Sequence, residues 1–263
     1  MTCNTKTLSA SLRGRVKTVY HVRVRWLAPI LALVTACSLA SAEELFVPMV
    51  AQRPGQDGTW WNTEVWISNP TAETGSYGVV FLPAGQPNLD GLRAEPTPED
   101  LPPGTTVYRN DLVPEGGIGV LRFVTTPGVI VFGRVFNSAG RGSFGQAIPA
   151  LSRNATVRPG EIAELVGLRR TPAFRTNIAF FNPTVDSGVV RVRLYLQHGE
   201  LAGEQSYRVA PGGYVQLDDA LHALGVTRGE HARAELTGTV PFFAFASVID
   251  ARSGAPTLVP ALH

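Results

Sequence analysis

The sequence predicts an all-β protein made of two tandem antiparallel β-sandwich domains of the immunoglobulin-like type, related by an internal duplication. Three observations favour this fold class. The 263 residues include 27 glycines and 20 prolines, which lie mainly between short apolar runs and are typical of turns. Those runs, about five to eight residues long, alternate apolar and polar side chains with a period of two, as half-buried strands do. The third observation is a set of four sequence blocks that recur in the same order.

The repeat is clearest around a tryptophan-rich segment. The run "TWWNTEVWISNPT" at residues 59–71 returns as "AFRTNIAFFNPT" at residues 173–184, offset by 113 residues. Later blocks pair "PGTTVYRNDLV" with "PGGYVQLDDAL", "GVIVFGRVFN" with "PFFAFASVID", and "AIPAL" with "LVPAL". Four matches in one order indicate domain-sized copies at residues 43–151 and 162–263, joined by a linker at residues 152–161.

Several connections within the copies have a recognisable form. The segments "FNSAGRGSFG" and "IDARSGAPTL" are typical of β-hairpins. The segment "DDALHALG" predicts a short helical turn that an aspartate caps and Gly225 ends. In both "NPT" motifs, we expect Asn69 and Asn182 to bond their own backbone while the proline ends the strand.

The first 42 residues have the pattern of an export signal. Six basic residues and no acidic ones precede the apolar run "WLAPILALVTA", and "ASA" at residues 40–42 offers small residues for cleavage. We expect cleavage after Ala42. A membrane anchor is the alternative, but an 11-residue run is too short to span a hydrocarbon core of about 30 Å. A second alternative is a lipid anchor, because "VTAC" resembles a bacterial lipobox that would lipidate Cys37.

Removal of this leader changes the charge and the cysteine count. Both cysteines, both lysines and four arginines leave with it, so 17 arginines remain against 21 acidic residues, a net charge of −4. A mildly acidic chain without basic clusters is a poor nucleic-acid ligand, because that binding depends on neutralising phosphates. We therefore expect no nucleic-acid partner and no disulfide.

The tryptophan-rich strand contains the candidate binding residues. Successive side chains of a strand point to opposite faces. One face carries apolar character in both copies, with Trp61 matching Phe174, so Trp61 is predicted to lie in the core. The other face changes between the copies, and its first-copy residues form the candidate ligand or interface site: Trp60, Asn62, Glu64 and Trp66. These tryptophans either pack on a loop or on the second copy, or stack on a sugar ring or peptide.

The sequence contains few residues in catalytic or metal-binding patterns. "GRGSFG" at residues 140–145 fits a dinucleotide-binding pattern by its letters, but it lies in a predicted hairpin with no helix after it. The chain has no metalloprotease, nucleophile-elbow or phosphate-loop motif, and His198, His222 and His231 lack metal-ligand spacing. Asp218 and Asp219 are better explained by capping or a turn than by ion binding. We predict no catalytic residue, no metal and no cofactor.

The pattern of "FVP", followed by "NP", "PxG", an aspartate-containing turn and "PAL", resembles tandem β domains of exported bacterial proteins whose function is uncharacterised. The resemblance covers nearly all of the chain after the leader, and it implies a secreted sandwich without assigning a reaction. We therefore expect an exported, non-enzymatic binding or structural module of the bacterial cell envelope or extracellular space, with an unknown protein or glycan as partner. The alternatives are a carbohydrate-binding or adhesive protein that uses the exposed tryptophans, and a hydrolase with a scattered site.

Overall fold

The period-two runs form antiparallel strands throughout the part of the chain that the computed structural model describes, residues 42–55, 58–139 and 142–263. The all-β class predicted from the sequence is confirmed, since every strand pairing there is antiparallel. The predicted leader lies outside the described residues except for Ala42, and β1 begins at the next residue. No helix among the described residues is long and apolar enough to cross a membrane.

The first half of the fold contains nine strands and one short helix. They are β1 (Glu43–Pro54), β2 (Trp60–Ser68), β3 (Gly75–Pro83), α1 (Leu89–Arg93), β4 (Glu99–Leu101), β5 (Thr106–Arg109), β6 (Gly117–Thr125), β7 (Ile130–Ala139), β8 (Gly142–Pro149) and β9 (Leu151–Ser152). A single turn of 3-10 helix, Arg153–Ala155, follows β9.

These nine strands form one continuous sheet in the order β4-β3-β6-β1-β2-β7-β8, with β5 paired to β2 and β9 paired to β1. The long strand β1 makes the sheet continuous. Its first part pairs with β6, the register shifts between Val47 and Val50, and its last residues, Arg53 and Pro54, pair with β2. Such an irregularity bends a strand and increases its twist, so one strand joins what would otherwise be two layers.

The second half contains eight strands and one short helix. They are β10 (Ala163–Arg170), β11 (Phe174–Phe181), β12 (Gly188–Tyr195), β13 (Leu201–Val209), β14 (Tyr214–Leu217), α2 (Ala220–Ala223), β15 (Gly229–Gly238), β16 (Phe243–Asp250) and β17 (Pro256–Pro260). The strands form two four-stranded sheets, β10-β15-β12-β13 and β14-β11-β16-β17. Strand β10 has eight residues against twelve in β1, and it does not join the two sheets.

The two halves use the same strand order. The runs β1-β6-β3-β4 and β5-β2-β7-β8 of the first half correspond to β10-β15-β12-β13 and β14-β11-β16-β17 of the second. Trp61 pairs with Asn137, and Phe174 pairs with Asp250, so both pairs are related by the same 113-residue offset. Trp61 and Phe174 therefore occupy corresponding positions in corresponding strands.

This strand order differs from the predicted immunoglobulin-like arrangement. In an immunoglobulin domain the first two strands are neighbours in one sheet, whereas β10 pairs with β15 and β11 pairs with β14 and β16. The chain crosses between layers after β10, and the Thr176 hydroxyl bonds the backbone N–H and C=O of Arg169, at 3.0 and 2.7 Å. Thr63 does the same for Ala51 in the first half, at 2.8 and 2.9 Å. A side chain thus satisfies backbone groups that a neighbouring strand would otherwise pair.

Both "NPT" motifs form the turn predicted for them. The Asn69 side chain is fully buried. Its Oδ1 accepts a hydrogen bond from the Thr71 N–H at 3.0 Å, and its Nδ2 donates to the carbonyls of Glu73 and Leu101, each at 2.8 Å. Asn182 makes the corresponding bonds to Thr184, Asp186 and Ala210. Each asparagine therefore ends a strand and ties it to the end of another strand that is distant in the sequence, β4 or β13.

The remaining local predictions have mixed outcomes. The two hairpins are confirmed by the pairing of β7 with β8 and of β16 with β17, although residues 140–141 lie outside the described part. The predicted helical turn is α2, and Gly225 follows it with a left-handed φ of 90°. The predicted aspartate cap is wrong, because the Asp219 carboxylate accepts hydrogen bonds from Arg170 instead. Within residues 152–161, Val157 is buried and pairs with Phe242.

Candidate functional site

The four candidate residues lie on the outward side of β2. Trp60, Asn62, Glu64 and Trp66 are each half-buried, whereas the alternate residues Thr63, Val65 and Ile67 are buried in the core. From Asn62 onward, the division of this strand into an inner and an outer face agrees with the prediction, whereas Trp61, predicted to lie in the core, is half-buried. The outer face of β2 continues onto β5 and β7, its neighbours in the sheet.

An aromatic cluster surrounds Trp66 on this outer face. Trp66 pairs across the sheet with Tyr108 of β5 and Phe132 of β7, and its ring centroid lies 5.6 and 5.9 Å from theirs. Tyr108 and Phe132 are 49% and 40% exposed, and the neighbouring Ile130 is 56% exposed. We call Trp66, Tyr108, Ile130 and Phe132 the aromatic face. Aromatic rings in such tilted contacts stabilise one another while leaving flat apolar surface open to a partner.

Charged groups border the aromatic face on one side. The Glu64 carboxylate accepts hydrogen bonds from the Tyr108 hydroxyl at 3.2 Å and from Arg134 at 3.1 Å. The Arg134 guanidinium also lies 4.6 Å from the centroid of the Phe136 ring. Partial desolvation raises the pKa of the Tyr108 hydroxyl, and the Glu64 carboxylate adds to that increase. The face therefore combines stacking surface with a fixed hydrogen-bond acceptor and donor.

Trp60 and Asn62 lie at the other end of β2. The Asn62 amide donates to the Trp60 carbonyl at 3.1 Å, and Trp60 pairs with Ser138 of β7. Trp66 lies six positions after Trp60, which is about 20 Å along a strand at about 3.3 Å per residue. The two tryptophans do not form one platform, because the neighbours of Trp66 are Tyr108 and Phe132.

Trp61 lies at the edge of the core rather than in its interior. It is half-buried, packs against the core of the first half, and lines a cavity of about 260 Å³ between the halves. Charged groups lie at this cavity as well, since Arg53 and Asp218 are exposed and Arg175 is half-buried. The cavity is a second concave site, with an indole surface beside charges of both signs.

The corresponding outer face of the second half is covered. Ala179, the counterpart of Trp66, is buried together with Phe181, Phe243 and Phe245, and all four belong to the core cluster of the first half. We call these four residues the β11 face. Two of them pack on Phe46 of β1, whose ring centroid lies 5.4 Å from that of Phe181 and 5.8 Å from that of Phe243.

Polar contacts surround this contact between the halves. The Ser247 hydroxyl donates to the Gln146 side chain at 3.1 Å, and both side chains are buried. The Asn88 amide donates to the Gly212 carbonyl at 2.8 Å, and the Asn137 amide donates to Gly254 at 2.6 Å. The halves therefore meet in an apolar centre with hydrogen bonds around it, although the Oδ1 atom of Asn137 is buried without a hydrogen-bond partner, and both halves belong to one compact unit.

Sequence reasoning did not identify Tyr108, Ile130 and Phe132 as parts of the site. The alternation in "IVFGRVF" indicates that Ile130 and Phe132 share one side of a strand. It does not indicate that this strand lies beside β2, because residues 66 and 132 are brought together only by the sheet. Tyr108 could not be identified either, because only strand pairing brings β5 beside β2.

Neither a metal cluster nor a relative identifies this site. Within the described ranges, no group of three or more His, Cys, Asp or Glu side chains is placed to hold a metal ion. No protein-family model matches the chain, and no curated protein matches it significantly in sequence. The aromatic face is the candidate site because of its exposed rings and their ordered polar border.

Proposed function

We propose that this chain is an exported, non-enzymatic binding or structural module of the bacterial cell envelope or extracellular space, and that it contacts its partner through the aromatic face. The observation that carries the proposal is the contiguous cluster of Trp66, Tyr108 and Phe132 on an open sheet face. Exposed apolar patches of this kind are typical of interaction surfaces, and Trp and Tyr are enriched at the centres of interfaces.

The polar border of the face fits recognition better than catalysis. Glu64 is held between Arg134 and the Tyr108 hydroxyl. Both contacts hold the Glu64 carboxylate in one orientation at the border of the face, where its remaining lone pairs can accept hydrogen bonds from a partner. The third expectation, a hydrolase with a scattered site, has no comparable cluster of groups in its support.

Export is proposed on the leader pattern of residues 1–42. Cleavage after Ala42 would leave the first strand intact, because β1 begins at Glu43. A lipid anchor at Cys37 is the alternative route to the same compartment, and intact-mass measurement of the exported protein separates the two. A chain starting at Glu43 supports cleavage after Ala42, whereas a diacylglycerol-modified Cys37 supports the lipoprotein.

The two halves are proposed to be sandwich modules that arose by duplication. Their common strand order, the matched registers of Trp61 and Phe174, and the identical hydrogen-bond patterns of Asn69 and Asn182 support this origin. The buried β11 face of the second half then corresponds to the aromatic face, which is exposed in the first half. Duplication followed by divergence at these positions accounts for tryptophan in one copy and alanine in the other.

A carbohydrate ligand is the second candidate. Flat rings at Trp66 and Tyr108 suit the apolar face of a sugar, while the Glu64 carboxylate and the Arg134 guanidinium beside them suit its hydroxyl groups. The ligand would then be held by stacking, with the charged pair selecting the orientation.

Screening the exported protein on a glycan array and against purified envelope polysaccharides tests these proposals, with a broad hydrolase screen run in parallel. Trp66→Ala and Phe132→Ala are expected to reduce binding to any partner at least tenfold. The matched control is Leu201→Ala, which changes a side chain that is 51% exposed in the second half. Binding that survives both face variants, or turnover of a substrate, would contradict the proposed role of the aromatic face.

A further inference from the structure

Exposed apolar side chains are concentrated on two surfaces. Six of the eight exposed large hydrophobic residues in the described ranges lie on either the aromatic face or a surface beside β10. On the aromatic face they are Tyr108, Ile130 and Phe132. Beside β10 they are Ile162, Val166 and Leu262, which are 50%, 47% and 57% exposed. Exposed apolar patches mark interaction sites, so each of these two surfaces is a candidate contact surface.

The contact between the halves has two sides, and one of them is a surface of β1. We define the β1 surface as Glu44, Phe46, Pro48 and Leu151. Phe46 packs on two rings of the β11 face, and Pro48 and Leu151 line a cavity together with Phe243 and Phe245. Glu44 holds Arg153, which donates a hydrogen bond to the Pro183 carbonyl of the second half. All four residues therefore support the second half.

The second half carries the counterpart of this surface. Phe46 pairs with Leu151 in the first half, and Glu164 pairs with Leu262 in the second. A second pair of contacts gives the same alignment of β1 with β10. Leu45 of β1 pairs with Phe123 of β6, and Ala163 of β10 pairs with Leu236 of β15, the strand that corresponds to β6. The counterparts of the β1 surface are therefore Ile162, Glu164, Val166 and Leu262, which we call the β10 surface.

The aromatic face is likewise the counterpart of the β11 face. Trp66 pairs with Phe132, as Ala179 pairs with Phe245. Ser68 pairs with Ile130, as Phe181 pairs with Phe243. Within one chain, the β1 surface is therefore joined to the β11 face, while the β10 surface and the aromatic face are both open.

We propose that chains associate head to tail, with the β10 surface of one copy against the aromatic face of the next, repeating the arrangement of the two halves within a chain. The partner is a second copy because both sides of the contact correspond to the two sides of an interface already present in the fold. A contact between different surfaces is heterologous, so it continues from copy to copy as an open array unless it closes into a ring. This inference rests on the proposed function of the aromatic face as a contact surface.

Glu164 makes this association weaker than the internal contact. It occupies the position of Phe46 at the centre of the β10 surface, and its carboxylate is ion-paired with Arg233 at 3.1 Å. Covering an ion pair costs desolvation energy that an aromatic ring would not require. Glu164→Phe is therefore expected to strengthen self-association at least tenfold. The matched control is Glu200→Phe, which adds the same ring at an exposed position of the β12–β13 turn.

Sedimentation velocity over a range of concentrations, on protein expressed from the full sequence, tests the inference. Wild type is expected to form species that grow beyond dimers. Phe132→Asp removes one side of the contact and Val166→Asp removes the other, so each variant alone is expected to lose association at least tenfold. Both side chains are exposed, and unfolding curves check that each variant folds. An equimolar mixture of the two variants is expected to form dimers that stop at two chains, because one intact surface remains on each.

The mixture distinguishes head-to-tail contact from the other arrangements. A symmetric dimer through two aromatic faces would be abolished by Phe132→Asp, unaffected by Val166→Asp, and not restored by mixing, which would overturn the inference. A monomer at all concentrations, in wild type and in Glu164→Phe, would overturn it as well. If the inference fails while Trp66→Ala still removes binding to a glycan or protein, the proposed function stands alone. If the aromatic face binds neither a second copy nor another partner, both fail.

Discussion

The ring of Phe46 in β1 lies 5.4 Å from the ring of Phe181 in β11, at an interplanar angle of 52°, and both side chains are fully buried. This pair joins the first half of the fold to the second. It lies in a core cluster to which both halves contribute, so the free energy of each half depends on the other. The halves are therefore expected to unfold together rather than as independent domains.

Phe46→Ala tests this coupling. Removing a fully buried ring leaves a cavity between the halves, and such changes cost about 3–5 kcal/mol. Urea denaturation followed by intrinsic fluorescence and by circular dichroism measures the loss and shows whether the two signals still coincide. Leu201→Ala is the control and is expected to stay within about 0.5 kcal/mol, because its side chain is exposed. A loss below about 1 kcal/mol for Phe46→Ala would contradict the shared core.

Local patterns in the sequence predicted much of the secondary structure but little of the way in which the strands meet. The alternation from Asn62 to Ser68 and the turn at Asn69 depend on neighbouring residues, and both appear in the fold as expected. Trp61 is the exception, because it was predicted to lie in the core and is half-buried. The immunoglobulin-like arrangement is not confirmed. Strand pairing joins distant segments, and nothing local to Thr176 indicates that the chain crosses between layers there. The candidate site was predicted only in part, because it too is formed by strands that are distant in the sequence. The alternation within β2 identified Trp66 as an outward residue, but its neighbour Phe132 lies on a strand more than 60 residues away in the sequence.

Substitutions of the two adjacent tryptophans are expected to have unequal effects. Trp61 is half-buried against the core and lines the cavity between the halves, so Trp61→Ala is expected to cost about 2–3 kcal/mol, less than full burial would imply. Trp61→Phe, which copies the residue at position 174, is expected to recover most of this loss. Trp66→Ala is expected to cost about 1 kcal/mol, the range of an aromatic cross-strand contact. Chemical denaturation measures both losses. Equal losses in the free energy of unfolding for Trp61→Ala and Trp66→Ala would contradict the assignment of the two residues to different faces of β2.

The buried asparagines are expected to be among the most sensitive polar positions. Asn69→Ala removes two donated and two accepted hydrogen bonds and leaves the carbonyls of Glu73 and Leu101 without this donor. Glu73 is exposed and its carbonyl keeps a hydrogen bond from the Thr71 hydroxyl, whereas Leu101 is fully buried and its carbonyl loses this donor. An unsatisfied buried group costs about 1–3 kcal/mol, and the lost bonds to Thr71 add to this, so a loss of about 2–4 kcal/mol is expected. Asn182→Ala is expected to cost a similar amount, because its bonds correspond one by one.

Asn69→Asp provides the sharper comparison at this position. It keeps the size and the acceptor of the side chain but replaces the donating amide with an oxygen that faces two carbonyls. The loss is therefore expected to equal or exceed that of Asn69→Ala at neutral pH. Thermal unfolding of the three variants decides the matter, and a mild effect of Asn69→Asp would show that the two donated bonds contribute little.

The turn between β16 and β17 is expected to make stability depend on pH through Asp250. Its carboxylate accepts hydrogen bonds from the backbone N–H groups of Ser253 and Arg252, both at 2.8 Å, and these bonds lower the pKa of Asp250. A lowered folded-state pKa gives stability that is fully present above the unfolded value of about 3.9 and is lost as the pH falls through the folded value. Asp250→Asn keeps an acceptor for both bonds but does not titrate. Between about pH 5 and about pH 2, the midpoint temperature of thermal unfolding should therefore fall less for this variant than for wild type. Asp100→Asn, at an exposed position of β4, serves as the control and should follow the wild-type curve. If Asp250→Asn follows it too, the turn does not contribute to acid sensitivity.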